Sequence, residues 1–221
     1  MSGILYLHGF ASGPGSTKGQ VFEERFRTLG IPFHRADLTP GDDGFERSTP
    51  LTMLSEAERL ARQRRPRALM GSSLGGYLSA LLASRQPSVE RLVLLAPAFG
   101  WLERWRTSLT AEAEHRWRDE GLEVLHQATG RTRRLGWAFM REAAALPAYP
   151  RVDVPTLCLA GRRDEVVPLE DVARFVAFTP QAQFVVLDDA HDLIASIDQI
   201  FEAAKAFLAP LAHPVSHPSP R

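Results

Sequence analysis

Cysteine occurs once in these 221 residues and lysine only twice, at Lys18 and Lys205. A single thiol, Cys158, cannot close an internal disulfide, and its place inside the apolar run at 156–160 marks it as a buried, inert side chain. Neither sign of charge is in excess. Lys plus Arg and Asp plus Glu number 26 each, which excludes the basic surface that a nucleic acid or anionic lipid partner would require. No apolar run approaches the roughly 20 residues of a spanning helix, and the N-terminus has no charged leader before a long apolar stretch. The expectation is a cytoplasmic protein without a membrane span. What the chain does have is 44% hydrophobic content, enough to bury a full core as one α/β domain.

The most informative stretch is Gly71-Ser72-Ser73-Leu74-Gly75, set between the apolar run 68–70 and the helix-like run 77–82. The pattern G-x-S-x-G carries chemistry because a strand turning sharply into a helix forces strained backbone angles on its central residue, and only small flanking residues leave room for that turn. It exposes the Ser73 hydroxyl at a helix N-terminus. Gly76 further eases helix-strand packing.

An activated serine needs a base, an orienting acid and an oxyanion hole. In hydrolases with an elbow of this kind the partners follow in the order serine, acid, histidine, each on a loop after a later strand. The strand-like run 156–160 empties into Gly161-Arg162-Arg163-Asp164-Glu165, and Asp164 sits where the acid belongs; Glu165 competes with it, but Asp164 directly ends the strand loop. The next β-branched run, 184–187, leads to Asp188-Asp189-Ala190-His191-Asp192. His191 is the base candidate, and Asp192 reads as the N-cap of the last helix. For the oxyanion, the backbone N–H of Leu74 follows the nucleophile, and a second comes from Phe10, where Gly9 after the strand 4–7 permits close backbone approach. His8 reads as a hydrogen bonder that fixes this loop.

With these residues the chain resembles the α/β-hydrolase superfamily, and more narrowly small serine esterases of the YqiA-like kind. Tyr6-Leu7-His8-Gly9-Phe10, followed by Ser12, Pro14 and Ser16-Thr17-Lys18, is similar to that group's N-terminal signature, and Gly71-Ser72-Ser73-Leu74-Gly75-Gly76 to its elbow. The resemblance implies hydrolysis of a carboxylic ester or thioester and leaves the substrate open. Ala190 departs from it, standing by the histidine where related enzymes often carry Gly.

The element order agrees. Runs at 4–7, 32–37, 68–72, 92–96, 156–160 and 184–187 read as six strands, continuous in apolar character as a sheet covered on both faces requires. Helices at about 17–29, from Thr49-Pro50 onward, after the elbow, and at 197–208 alternate with them, which predicts an α/β-hydrolase fold: a doubly wound, mainly parallel sheet with right-handed crossovers. The core is expected over 1–98 and 151–210.

Between them, 99–150 breaks the alternation and reads as a helical cap. All four tryptophans, Trp101, Trp105, Trp117 and Trp137, fall there, and Trp101, Trp105 and Trp137 are the candidates for lining a substrate pocket. Packing of the cap onto the body is the competing role for the same aromatics. Arg104, Arg106, Arg116 and Arg118, interleaved with acids, read as a solvated helix face. Gly13-Pro14-Gly15-Ser16-Thr17-Lys18 fails the phosphate-loop spacing, and the Pro-rich end at 211–221, with His213 and His217, reads as a loose tail.

Together these residues predict a serine hydrolase in which Ser73 attacks the acyl carbonyl, His191 is the base and Asp164 its orienter. No metal or organic cofactor is expected, and the partner is a small-molecule acyl ester or thioester. Two other classes share the pattern: a hydrolase-fold protein that holds a ligand without turnover, and the same triad turned to amide or carbon-carbon cleavage or to acyl transfer.

Overall fold

The computed structural model describes residues 3–211; the tail expected beyond Leu211 lies outside the described residues. In chain order the body runs β1 (Ile4–Leu7), α1 (Thr17–Thr28), β2 (Phe33–Arg35), α2 (Pro50–Arg64), β3 (Ala68–Ser72), α3 (Leu74–Ala83) and β4 (Arg91–Leu95). After an insertion it resumes with β7 (Thr156–Gly161), α7 (Leu169–Ala177), β8 (Ala182–Leu187) and α8 (Ile197–Leu208). The six strands form one parallel sheet in the order β2-β1-β3-β4-β7-β8. The sequence expectation of a doubly wound α/β-hydrolase sheet holds.

Both faces of the sheet are buried, and the alternation of side chains along each strand divides the core in two. On one face Leu5, Leu7, Leu69, Leu92, Leu94 and Cys158 pack beneath α2, α3 and α7 through Met53, Ala57, Leu78, Val172 and Phe175. On the other, Ile4, Tyr6, Met70, Val93, Leu95 and Leu157 pack against Phe22 and Phe26 of α1 and Ile200, Phe201 and Ala204 of α8. Helix starts follow the local chemistry. Ser16 caps α1 by accepting from the Gly19 amide, and Thr49 caps α2 in a reciprocal box with Thr52, with Pro50 at the first helical position. Asp192, however, is not the cap of the last helix. That helix starts after Ser196, because residues 191–196 form a separate turn with Leu193 at φ +54°.

The insertion between β4 and β7 is not purely helical, as the sequence had suggested. It contains α4 (Trp101–Ser108), α5 (Ala111–Glu120), an antiparallel hairpin of β5 (Leu122–His126) and β6 (Arg131–Leu135), and α6 (Ala138–Ala143). The hairpin turns at Gly130, whose φ of +63° closes the turn onto the His126 carbonyl. It is joined to the body where the Gln127 amide donates to the Ala11 carbonyl and where Arg133 pairs with Glu46 at 2.9 Å. Among the described residues no helix is long and apolar enough to cross a membrane.

The chain passes from β1 outward to β2 and then returns to the other side of β1 as β3. This reversal opens a crevice at the C-terminal ends of β1 and β3, where ligands bind in open α/β sheets. Gly9-Phe10 leaves β1 there, and Ser73 leaves β3.

Candidate active site

Ser73 is the single residue between β3 and α3, the N-cap position of the helix, with φ +53° and ψ −120°, a conformation rare for a residue with a side chain. Surrounding hydrogen bonds over-determine it: its amide donates to the Leu95 carbonyl at 2.9 Å, and its carbonyl accepts from the amides of Ala98 and Tyr77. The flanking glycines are sterically required. A Cβ at Gly75 would lie 2.2 Å from the Leu7 carbonyl oxygen, and one at Gly71 would lie 2.3 Å from the Gly75 carbonyl oxygen. The Ser73 hydroxyl caps no helix amide. It is within hydrogen-bond distance of the His191 ring instead, with Oγ to Nε2 at 3.0 Å.

The other ring nitrogen, Nδ1, lies 2.8 Å from Oδ2 of Asp164. Oδ1 of Asp164 accepts from the amides of Val166 and Val167 at 2.9 and 2.8 Å, and the carboxylate is fully buried. Burial alone would raise its pKa, but the hydrogen bonds from His191 and from the Val167 and Val166 amides outweigh it and hold the group below the usual carboxylate range. Glu165, the competing acid, faces the neighbouring cavity. Ala190 does not need the freedom of glycine, since the positive φ of this loop falls on Leu193. Asp189 braces the loop by accepting from the amides of Ala190 and Ser196.

Phe10 and Leu74 flank Ser73, and neither amide donates to a carbonyl or side chain among the described residues. The loop carrying Phe10 is fixed by His8, whose buried ring bonds the Gly9 carbonyl at 2.9 Å and approaches the Leu38 amide. Burial lowers the His8 pKa and favours the neutral ring. Burial pushes the Cys158 thiol up to about 12, as befits an inert core residue.

Beside Ser73 opens a cavity of about 350 Å³, walled by Phe10, Leu74, Trp101, Trp105, Phe139 and Val167. Trp101 and Trp105 meet edge to face at 5.4 Å, and Phe10 meets Trp105 likewise at 5.5 Å. Trp137 is not among the lining residues. It packs edge to face on Trp117 at 5.2 Å with Arg118 over its ring, and Trp117 in turn separates it from Trp105. It stands at the start of α6, after β6, rather than sharing the face of α4, so it supports the wall from behind. Among the lining residues without a sequence assignment to the site are Phe139, one turn beyond Gly136, Val167 and Arg104. Arg104 is therefore not on a solvated face. It donates to the Phe99 carbonyl at 2.7 Å and pairs with Asp171 of α7, which also accepts from the Tyr149 hydroxyl. No group of three or more His, Cys, Asp or Glu that could hold a metal occurs among the described residues.

A family model described as uncharacterised protein family UPF0227 matches residues 3–209. A protein of Xanthomonas oryzae pv. oryzae named pimeloyl-[acyl-carrier protein] methyl ester esterase is 27% identical, across 93% of this chain and 94% of its own. Among solved structures, Est1E from Butyrivibrio proteoclasticus with ferulic acid bound superposes with a TM-score of 0.78 at 22% identity, covering 96% of this chain and 90% of its own. Mouse alpha/beta hydrolase domain-containing protein 10 gives the same TM-score at 23% identity, covering 95% and 90%. At these identities the structural likeness establishes the fold.

Proposed function

Since the chain belongs to the UPF0227 family and has an α/β-hydrolase fold, we propose that it is a serine hydrolase that cleaves carboxylic esters through an acyl-enzyme. The observation that carries this reading is the hydrogen-bonded chain Ser73 Oγ, His191, Asp164, at 3.0 and 2.8 Å, opening into an aromatic cavity at the C-terminal edge of the sheet. His191 Nε2 takes the Ser73 proton as Oγ attacks the acyl carbonyl, and the negative charge that forms on the carbonyl oxygen meets the amides of Phe10 and Leu74. Asp164, ionised and anchored by two amides, keeps Nδ1 protonated and stabilises the imidazolium. His191 then protonates the leaving alcohol. Water, deprotonated by the same ring, attacks the acyl-enzyme and releases the acid.

These steps need no metal or organic cofactor. The esterase names of the relatives support ester hydrolysis, and the apolar, aromatic walls suit an uncharged acyl group. A thiol in place of the alcohol would leave by the same route, so acyl thioesters belong to the proposed range.

Labelling by a fluorophosphonate probe tests the reading. The native protein labels and Ser73→Ala does not, while a panel of aryl esters and acyl thioesters is turned over by the native protein alone. A ligand-holding protein without turnover would neither label nor hydrolyse the panel.

A further inference from the structure

We propose that Lys18 is a positioning residue of this site: from the first turn of α1, its ammonium holds the backbone carbonyl of Asp192 and thereby the loop that carries His191. The proposal rests on the serine-hydrolase reading. Nζ of Lys18 donates to the Asp192 carbonyl at 2.6 Å, a bond between groups 174 residues apart in sequence. α1 directly continues the loop that offers the Phe10 amide, and Asp192 directly follows His191. One hydrogen bond therefore joins the loop of the candidate oxyanion donor to the loop of the candidate base.

The His191 loop has reason to need such a tie. It contains a strained Leu193 at φ +54°, and although Asp189 braces it at 2.8 Å, the bonds nearest His191 on its far side, Leu193 amide to Ala190 carbonyl and Ile194 amide to Asp192 Oδ1, are long at 3.3 Å. On the side of β7 it is held by Arg163, which donates to the carbonyls of Asp189 and Asp188 at 3.0 and 2.7 Å. Lys18 supplies the tie on the side of α1. A chain that otherwise uses arginine almost throughout has lysine here. A compact ammonium suits a single carbonyl, where the arginine fork is shaped for paired acceptors.

The charged groups that bear on Lys18 are Asp192 and Asp189 of the loop after β8 and Asp164 of the loop after β7. Burial lowers its pKa to about 8, and these three carboxylates recover only part of the shift. A neutral amine is a far weaker donor to a carbonyl than an ammonium. The tie therefore loosens as pH rises through about 8, and turnover should decline with it.

The test is the pH profile of kcat and KM for a short aryl ester in the native protein, Lys18→Met and Lys18→Arg. In the native protein kcat should fall with a midpoint near pH 8. Lys18→Met should lower kcat at pH 7 on the order of tenfold with KM little changed, as expected of a slightly misplaced base. It should lose the alkaline decline, and its Tm should change little, since the charge removed is only half-buried. Lys18→Arg keeps a donor that stays charged across the accessible range, so it should retain most of the turnover at pH 7 and carry its plateau beyond pH 8. An alkaline decline that persists unchanged in either variant, or native kcat in Lys18→Met, overturns the proposal. Should Lys18→Met fail to fold, the native and Lys18→Arg profiles decide alone. Ser73-dependent fluorophosphonate labelling, run alongside, separates the two levels: if labelling survives Ser73→Ala, the hydrolase reading itself falls, whereas Ser73-dependent labelling with indistinguishable Lys18 profiles removes only the role of Lys18.

Discussion

Ser73 and Ser72 are neighbours with opposite surroundings, and the difference decides what each substitution does. Ser73 Oγ is within hydrogen-bond distance of His191, whereas Ser72 ends β3 as a buried side chain. Ser73→Ala and His191→Ala should each abolish ester turnover to a similar degree, since members of one catalytic unit are not additive, and Ser72→Ala should retain most of it. Asp164→Asn should lower kcat by roughly four orders of magnitude through loss of the correct tautomer, with Glu165→Gln costing far less. Equal losses at the two positions would reassign the acid. The depressed pKa of Asp164 also makes a stability prediction. A carboxylate whose folded pKa lies below its unfolded value of about 3.9 stabilises the fold above that pH and ceases to do so as pH falls through the folded value. The Tm gap between the native protein and Asp164→Asn should therefore narrow below about pH 4, as differential scanning calorimetry across pH would register.

Among the elements, the elbow is the most constrained. Gly75→Ala would drive a Cβ into the backbone of β1, so it should prevent folding or cost on the order of 3 kcal/mol in denaturant unfolding. The cavity wall divides the tryptophans. Trp105→Ala should penalise long acyl chains more than acetyl in kcat/KM, by the loss of apolar contact worth about 25 cal/mol per Å². Trp137→Ala, behind Trp117, should lower Tm while leaving the ratio of long to short acyl substrates unchanged. The six core strands were legible because a sheet buried on both faces demands continuous apolar runs, and the elbow because strain demands glycine at fixed places. The hairpin of β5 and β6 was not. Arg131-Thr132-Arg133-Arg134-Leu135 buries little beyond Leu135, and a two-stranded ribbon on the surface leaves no strong period in the sequence. Arg104 escaped for a related reason: its spacing among acids on α4 is that of a solvated face, and its partner Asp171 lies 67 residues away on α7. The partners of a half-buried ion pair such as this are set by tertiary packing, and helical spacing alone does not reveal them.

For the whole molecule, charge balance has a physical consequence of its own. With 26 positive and 26 negative side chains and an isoelectric point near 7.1, the protein should be least soluble around neutral pH, which turbidity against pH at low salt would record as a maximum near 7. The order of the site along the chain has another. Ser73 precedes His191 by 118 residues. At about 5–20 residues per second, the ribosome delivers the histidine about 6–24 seconds after the serine. On the proposed mechanism the nascent chain carries, throughout that interval, a hydroxyl with no base to activate it. Reactivity would arrive only with β8 and the loop after it, so a chain abandoned before His191 would lack the means to attack an acyl carbonyl.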